Sequence, residues 1–175
     1  MAVISAANLK YYWSGGSADG VGVGSAAISL GSFRSATEVS GAINQIFDDI
    51  SGDEAAAGHT EYRCIYFRNE DANAGGLISP VVWIDGQAAD GETIAIGIDP
   101  AGKNATAATI SPDTNAPAGV SFTSPITKAT GLALPTGPYA QNDRVPIWIR
   151  RVTPGSQAAS NSVSASIRVE GDSGA

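Results

Sequence analysis

Four carboxylates fall within seven positions, at Asp48, Asp49, Asp53 and Glu54, and the only histidine, His59, follows shortly after them. Hard cations such as calcium take several oxygen ligands from a flexible loop, so this cluster is where the residue types suit a metal. Its spacing does not match an EF-hand loop. A solvated turn, with Ser51 or Asp53 capping the AAAG that follows, explains the same residues without an ion. A single imidazole excludes any site built on two, and a Ser-His-Asp arrangement would have to use His59. No G-x-S-x-G elbow surrounds any serine, so His59 reads as an exposed loop residue. The GVGVGS run at 20–25 has phosphate-cradling glycines, but it lacks the Lys-Ser or Lys-Thr of a P-loop and the G-x-G-x-x-G of a dinucleotide fingerprint. DPAGKN at 99–104 reads as an ordinary turn, with Pro100 presetting one backbone angle and Gly102 permitting a positive one. Scattered carboxylates leave glycoside hydrolysis as the last reading. The expectation is a non-enzyme with no catalytic residues and no cofactor.

Binding is the better-supported chemistry. Trp148 beside Arg150 and Arg151 forms a patch for cation–π or carboxylate contacts, and Tyr11, Tyr12 and Trp13 make a second aromatic group near the start. Tryptophan and arginine are enriched at interface hot spots, which makes these six residues the interface candidates. Cys64 cannot form an intrachain disulfide, being the one cysteine, and its apolar neighbours predict a buried, inert thiol.

Composition narrows the partners. The formal charge is −7 and the isoelectric point near 4.5, against the Lys and Arg surplus that phosphate binding needs, so no nucleic-acid partner is expected. Charged residues make up 15% of the chain, where about 25% is usual, and that deficit points to surface covered in the working state. The opening MAVISAANLKYYW lacks a basic region and an apolar core of signal-peptide length. Nothing approaches the roughly 20 apolar residues of a membrane span. The expectation is cytoplasmic synthesis without membrane insertion.

These residues need a scaffold, and 175 residues with 43% hydrophobic composition suffice for one well-filled domain. With 21 glycines and 9 prolines, turns must be frequent and helices few. The run YRCIYF at 62–67 suits a central β-strand, read as 61–69. Further strands are expected at 9–14, 26–30, 77–85, 93–99, 145–152 and 162–170, with a short one at 105–110 and interrupted extended chain at 120–134. Pro80 places its end of a strand at an edge or bulge. In 145–152, Ile147 and Ile149 share one face, and Trp148 and Arg150 the other. Between 35 and 50, Val39, Ala42, Ile43, Ile46 and Phe47 recur at helical spacing, with a strand at 44–48 as the competing reading. Short strands between Gly and Pro turns predict an all-β fold: an antiparallel β-sandwich or jelly roll with long Gly/Pro-rich loops and little helix. Residues 1–25 read as an N-terminal strand and Gly-rich arm, 26–170 as the sandwich, and 171–175 as a frayed tail.

Taken together, LKYYWSGG at 9–16, FDDISGDEAAAGHTEYRCIYFRN at 47–69, VVWID at 81–85, IAIGIDPAGKN at 94–104, VPIWIRRVTPGSQA at 145–158 and VEGDS at 169–173 resemble small virion structural proteins of tailed bacteriophages. The resemblance implies a non-enzymatic role, read here as a head decoration or cement protein on the outer capsid surface. Its partners would be the major capsid protein and sister copies, as a homotrimer. Two rivals stand beside it. One is a tail, neck or baseplate component; the other is a carbohydrate-binding virion module using Trp13, Tyr12 or Trp83 as a stacking platform.

Overall fold

The computed structural model describes residues 3–41, 45–87, 92–135, 137–157 and 165–174. The apolar run at 62–67 folds as β3 (His59–Asn69), the middle strand of a five-stranded antiparallel sheet. On one side β3 pairs with β1 (Leu9–Gly16), and β2 (Phe33–Glu38) lies beyond it; on the other it pairs with β7 (Arg144–Thr153), followed by β5 (Thr93–Ile98). Registers include Trp13 opposite Ile65, Glu61 opposite Arg151 and Cys64 opposite Trp148. A second, three-stranded sheet places β4 (Leu77–Asp85) between β6 (Leu132–Ala133) and β8 (Ser166–Ser173). The fold is therefore an all-β sandwich, with α1 (Gly52–Ala57) the one α-helix among the described residues.

Alternation along the strands builds two apolar layers. Ile65 and Phe67 of β3, Ile147 and Ile149 of β7 and Ile96 of β5 face Val82 and Ile84 of β4 and Val169 of β8 in the core between the sheets. The opposite parity, Tyr62, Cys64, Tyr66 and Trp148, fills a second cluster on the outer face, closed by Ala107 and Ile110 from a long loop. Both faces of β3 and β7 are thus covered, which is why these strands read as nearly continuous apolar runs. Loops also complete the sheet's hydrogen bonding. The β1–β3 register ends at Ile65, and past it Cys64 N–H donates to the Ser29 carbonyl (2.7 Å) and Tyr62 N–H to that of Asp113 (2.8 Å). Tyr66 ties the cover down, its hydroxyl donating to the Ser32 carbonyl (2.6 Å) and accepting from Ala107 N–H (2.9 Å).

Several expectations need correction. The strand expected at 9–14 is present as β1, where it is internal rather than free, since Trp13 is buried and β1 is paired on both sides. Residues 26–28 form a single 3-10 turn where a strand was expected, and β2 was not anticipated. The described part of 45–50 is neither helix nor strand, although Val39, Ile46 and Phe47 do pack on the core; Ala42, Ile43 and Asn44 lie outside the described residues. The strand expected at 105–110 reduces to one bridge, Ala107 to Ser32. Gly171, Asp172 and Ser173 belong to β8, with Ser173 opposite Leu77, so that stretch is not a frayed tail. Of the strand predicted at 162–170, residues 162–164 lie outside the described residues. The Pro80 reading holds: the β4–β8 register shifts between Ile78 and Val81, where Ser79 takes a φ of 47°.

Candidate functional site

The densest polar constellation lies at one end of the core layer. The parity that points Ile65 and Phe67 inward also points Glu61 and Arg63 inward, and Arg151 follows Ile147 and Ile149 on the same face of β7. Arg151 Nε donates to Glu61 Oε1 at 2.6 Å, and its Nη2 also meets that carboxylate. Arg63 Nη2 reaches Glu61 Oε2 at 3.1 Å. Glu61 is only 3% exposed. The far ends of the two arginines hold loops: Arg151 Nη1 donates to the Asp48 carbonyl (2.6 Å), and Arg63 Nη1 to Asp113 Oδ2 (2.8 Å). Both guanidiniums flank the Phe47 ring, at 4.9 Å for Arg151 and 5.7 Å for Arg63. Guanidinium does not deprotonate in proteins, and the carboxylate is engaged on both oxygens. The arrangement acts as a clamp that ties residues 47–48 and 113 to the sheet end.

The acidic loop is used locally. Ser51 Oγ accepts from Glu54 N–H (3.3 Å), while Glu54 Oε2 accepts from the Ser51 N–H and hydroxyl, both at 2.8 Å. This capping box starts α1, and the hydrogen bonds from Ser51 hold the Glu54 carboxyl below its ordinary pKa. Asp48 is turned toward Arg151 and Asp53 lies in the first helical turn. Among the described residues no group of three or more His, Cys, Asp or Glu side chains is placed to hold a metal ion. The proposed calcium set of Asp48, Asp49, Asp53 and Glu54 is therefore not assembled. His59 is not an exposed loop residue: it opens β3, half-buried, with Nε2 at 3.8 Å from Glu54 Oε1.

The aromatic and arginine interface candidates mostly turn inward. Trp148 is fully buried and its Nε1 donates to Asp99 Oδ2 (2.8 Å); Trp13 and Arg151 are buried as well. Tyr11 packs against Phe67 with ring centroids 5.9 Å apart, and burial pushes its phenol pKa up. Tyr12 donates its hydroxyl to Glu70 (2.6 Å) between the guanidiniums of Arg34 and Arg68. Arg150 stacks over Phe122 at 5.2 Å. Trp83 is also buried, so neither it nor Trp13 offers a stacking face for sugar. Cys64 is fully buried, and desolvation raises its thiol well above the ordinary value, as the sequence predicted. What sequence reasoning missed is a set of exposed apolar residues: Val21, Val23, Ile28 and Phe33 are exposed around Gly15 and Gly16. The available signal was the absence of any charge between Asp19 and Arg34.

Fold and site together define an all-β sandwich whose buried charges serve its own loops. Comparison with known proteins finds no matching family model, curated protein or solved structure.

Proposed function

We propose that this chain is a non-enzymatic structural protein of a tailed-phage particle, a decoration protein that binds the outer surface of the major capsid shell and stabilises it. One observation carries the reading. The most exposed large hydrophobic side chains among the described residues lie outside the strands, with Val3 at 79%, Val23 at 80% and Ile126 at 66% exposure, on a chain only 15% charged. Apolar surface of this kind is what a subunit keeps for a partner. The resemblance in the blocks from 9–16 to 169–173 supports the same class. The acidic charge suits the outside of a shell better than a lumen filled with DNA.

In this reading the work is mechanical. The sandwich is stiff because its central strands are covered on both faces, and apolar patches buried against capsid subunits and sister copies favour the assembled state by mass action. The test is to count copies of the chain in purified particles by quantitative peptide mass spectrometry and to locate them by electron microscopy. Hundreds of copies over the head surface are expected. Dozens at the neck or tail would move the protein to the rival location, and absence from particles would end the virion reading.

A further inference from the structure

The chain holds 17 Asp and Glu for 10 Lys and Arg, and every one of those cations except Arg150 reaches a carboxylate. Acids are in surplus, so Arg150 is not left over for want of them. Among the described residues no hydrogen bond or ion pair engages its guanidinium. Its Nε is buried without a partner, which leaves the Nη1–Nη2 edge as the open side of the fork.

Neighbouring elements set the position of this side chain. On the outer face of β7, Arg150 has Tyr62 of β3 opposite it on one side and Ala95 of β5 on the other. Phe122 covers it, with the ring centroid 5.2 Å from the guanidinium carbon and 5.4 Å from the Tyr62 ring. Residues 120–124 carry Phe122 along the margin of β5 that faces away from β7. Thr123 N–H donates to the Ile96 carbonyl (3.0 Å), Ile96 N–H to that of Thr123 (2.8 Å), and Ser124 Oγ to that of Ile94 (2.8 Å). Gly97 permits the approach, since a Cβ there would stand 2.5 Å from Val120 Cγ1 and 2.7 Å from the Ser121 carbonyl oxygen. The guanidinium therefore rests on a fixed aromatic shelf whose rim is open: Phe122 is half-buried, and Ser121, Thr123 and Ser124 beside it are exposed.

Charge and geometry select the occupant. Stacking on a ring fixes the guanidinium plane, so little further freedom is lost when two coplanar oxygens meet the Nη edge. That is the shape of a carboxylate, held by two parallel charge-assisted hydrogen bonds. The net charge of −7 works against polyphosphate partners, whereas at Arg150 a single incoming acid meets a cation that no acid of this chain neutralises. We propose that Arg150 is an anchor that receives an acidic side chain of a partner protein, its fork holding the carboxylate beside the Phe122 ring. The open rim suits a side chain presented on another protein's surface, where a small free carboxylate would need enclosure. The site stands apart from the virion reading: copy counts in particles and carboxylate binding in solution succeed or fail separately.

The test is heteronuclear NMR of the full chain, following the arginine Nε–Hε signals during titration with acetyl-Gly-Glu-Gly-amide as the probe. The same peptide with glutamine, sodium acetate and inorganic phosphate serve as comparisons. Arg168, which is exposed but paired with Asp85 at 2.6 Å, is the internal control. The expected result is a saturable shift at Arg150 with a dissociation constant of roughly 1 mM, as one forked ion pair supplies, and a smaller response at Arg168. Arg150→Lys should weaken binding by at least about tenfold, because an ammonium is a point charge without the fork. Arg150→Met should abolish binding without lowering the melting temperature, since it breaks no ion pair. Shifts at Arg150 no larger than those at Arg168, or an equal response to the glutamine peptide, would overturn the proposal. So would binding that survives Arg150→Met, or saturation by acetate or phosphate at a lower concentration than by the glutamate peptide.

Discussion

Replacing Glu61 by glutamine keeps the shape of the side chain and removes the charge that two buried guanidiniums share. Glu61 is 3% exposed, and the Arg63 and Arg151 side chains are each 8% exposed. Removing one partner of a buried ion pair costs about 3–5 kcal/mol when nothing else compensates. Compensation exists here: Arg151 keeps the Asp48 carbonyl at 2.6 Å, Arg63 keeps Asp113 at 2.8 Å, and the new amide oxygen still accepts one hydrogen bond. The expected loss is therefore about half of that, roughly 2 kcal/mol. In a domain of this size that lowers the melting temperature by about 4–8 °C. Urea unfolding followed by tryptophan fluorescence measures it, with the transition slope unchanged. Glu170→Gln is the control, because the Lys128–Glu170 pair is half-exposed and solvent screens it. The cycle with Arg151→Met should return a coupling of about 1–3 kcal/mol. A midpoint for Glu61→Gln no lower than that of Glu170→Gln, or a coupling near zero, would refute the clamp.

Ser51→Ala removes the side-chain half of the capping box, leaving the backbone N–H of residue 51 on Glu54, and should cost about 1 kcal/mol, seen as faster amide exchange in α1 and in Ser156 and Gln157, which donate to Ala56 and Ala55. The Cys64 thiol, fully buried and raised in pKa by desolvation, should resist a disulfide reagent at pH 8 in native buffer and react fully in urea. Rapid native labelling would place it at the surface. Acid should weaken the fold through Asp143 and Glu54. Burial pushes the Asp143 carboxyl up, yet hydrogen bonds from Asn104, Lys103 and the Ala140 N–H hold it below its ordinary value, and Glu54 is lowered by Ser51. Both folded pKa values lie below the unfolded ones, so the stability these groups contribute is complete above about pH 4–5 and is lost as pH falls through the folded values. Urea midpoints between pH 7 and pH 3 should show that limb, and Asp143→Asn should flatten it; an unaltered limb would count against the assignment.

Strands with a strong period were legible in the sequence. The block at 62–67 announced β3, Ile94, Ile96 and Ile98 announced β5, and the alternation of Ile147 and Ile149 with Trp148 gave the two faces of β7 correctly. β2 was not legible because FRSATE offers one large apolar residue; its place comes from pairing with β1 and from backbone hydrogen bonds to Gly20 and Gly22. Helical spacing misled at Val39, Ile46 and Phe47 because irregular chain also packs these side chains on the core, with Arg63 and Arg151 holding Phe47. Most of the interface candidates failed for a related reason. Tryptophan, tyrosine and arginine serve a core and a contact surface equally well, so residue type alone did not separate Trp148 in the outer layer from a residue facing a partner. Exposed valines in a glycine-rich stretch carry almost no signal in the sequence.

The pairing of β3 with β7 has a consequence for how the chain comes into being. Glu61 meets Arg151 across 90 residues, and the β1–β3 ladder covers β3 only as far as Ile65. During synthesis, Tyr62 and Cys64 therefore wait, with one margin open, until β7 (Arg144–Thr153) has left the ribosome. Closing so long a loop is slow. Truncated chains ending before Arg144 should accordingly be insoluble rather than smaller folded pieces, and yield in a cell should track how well that waiting margin is shielded.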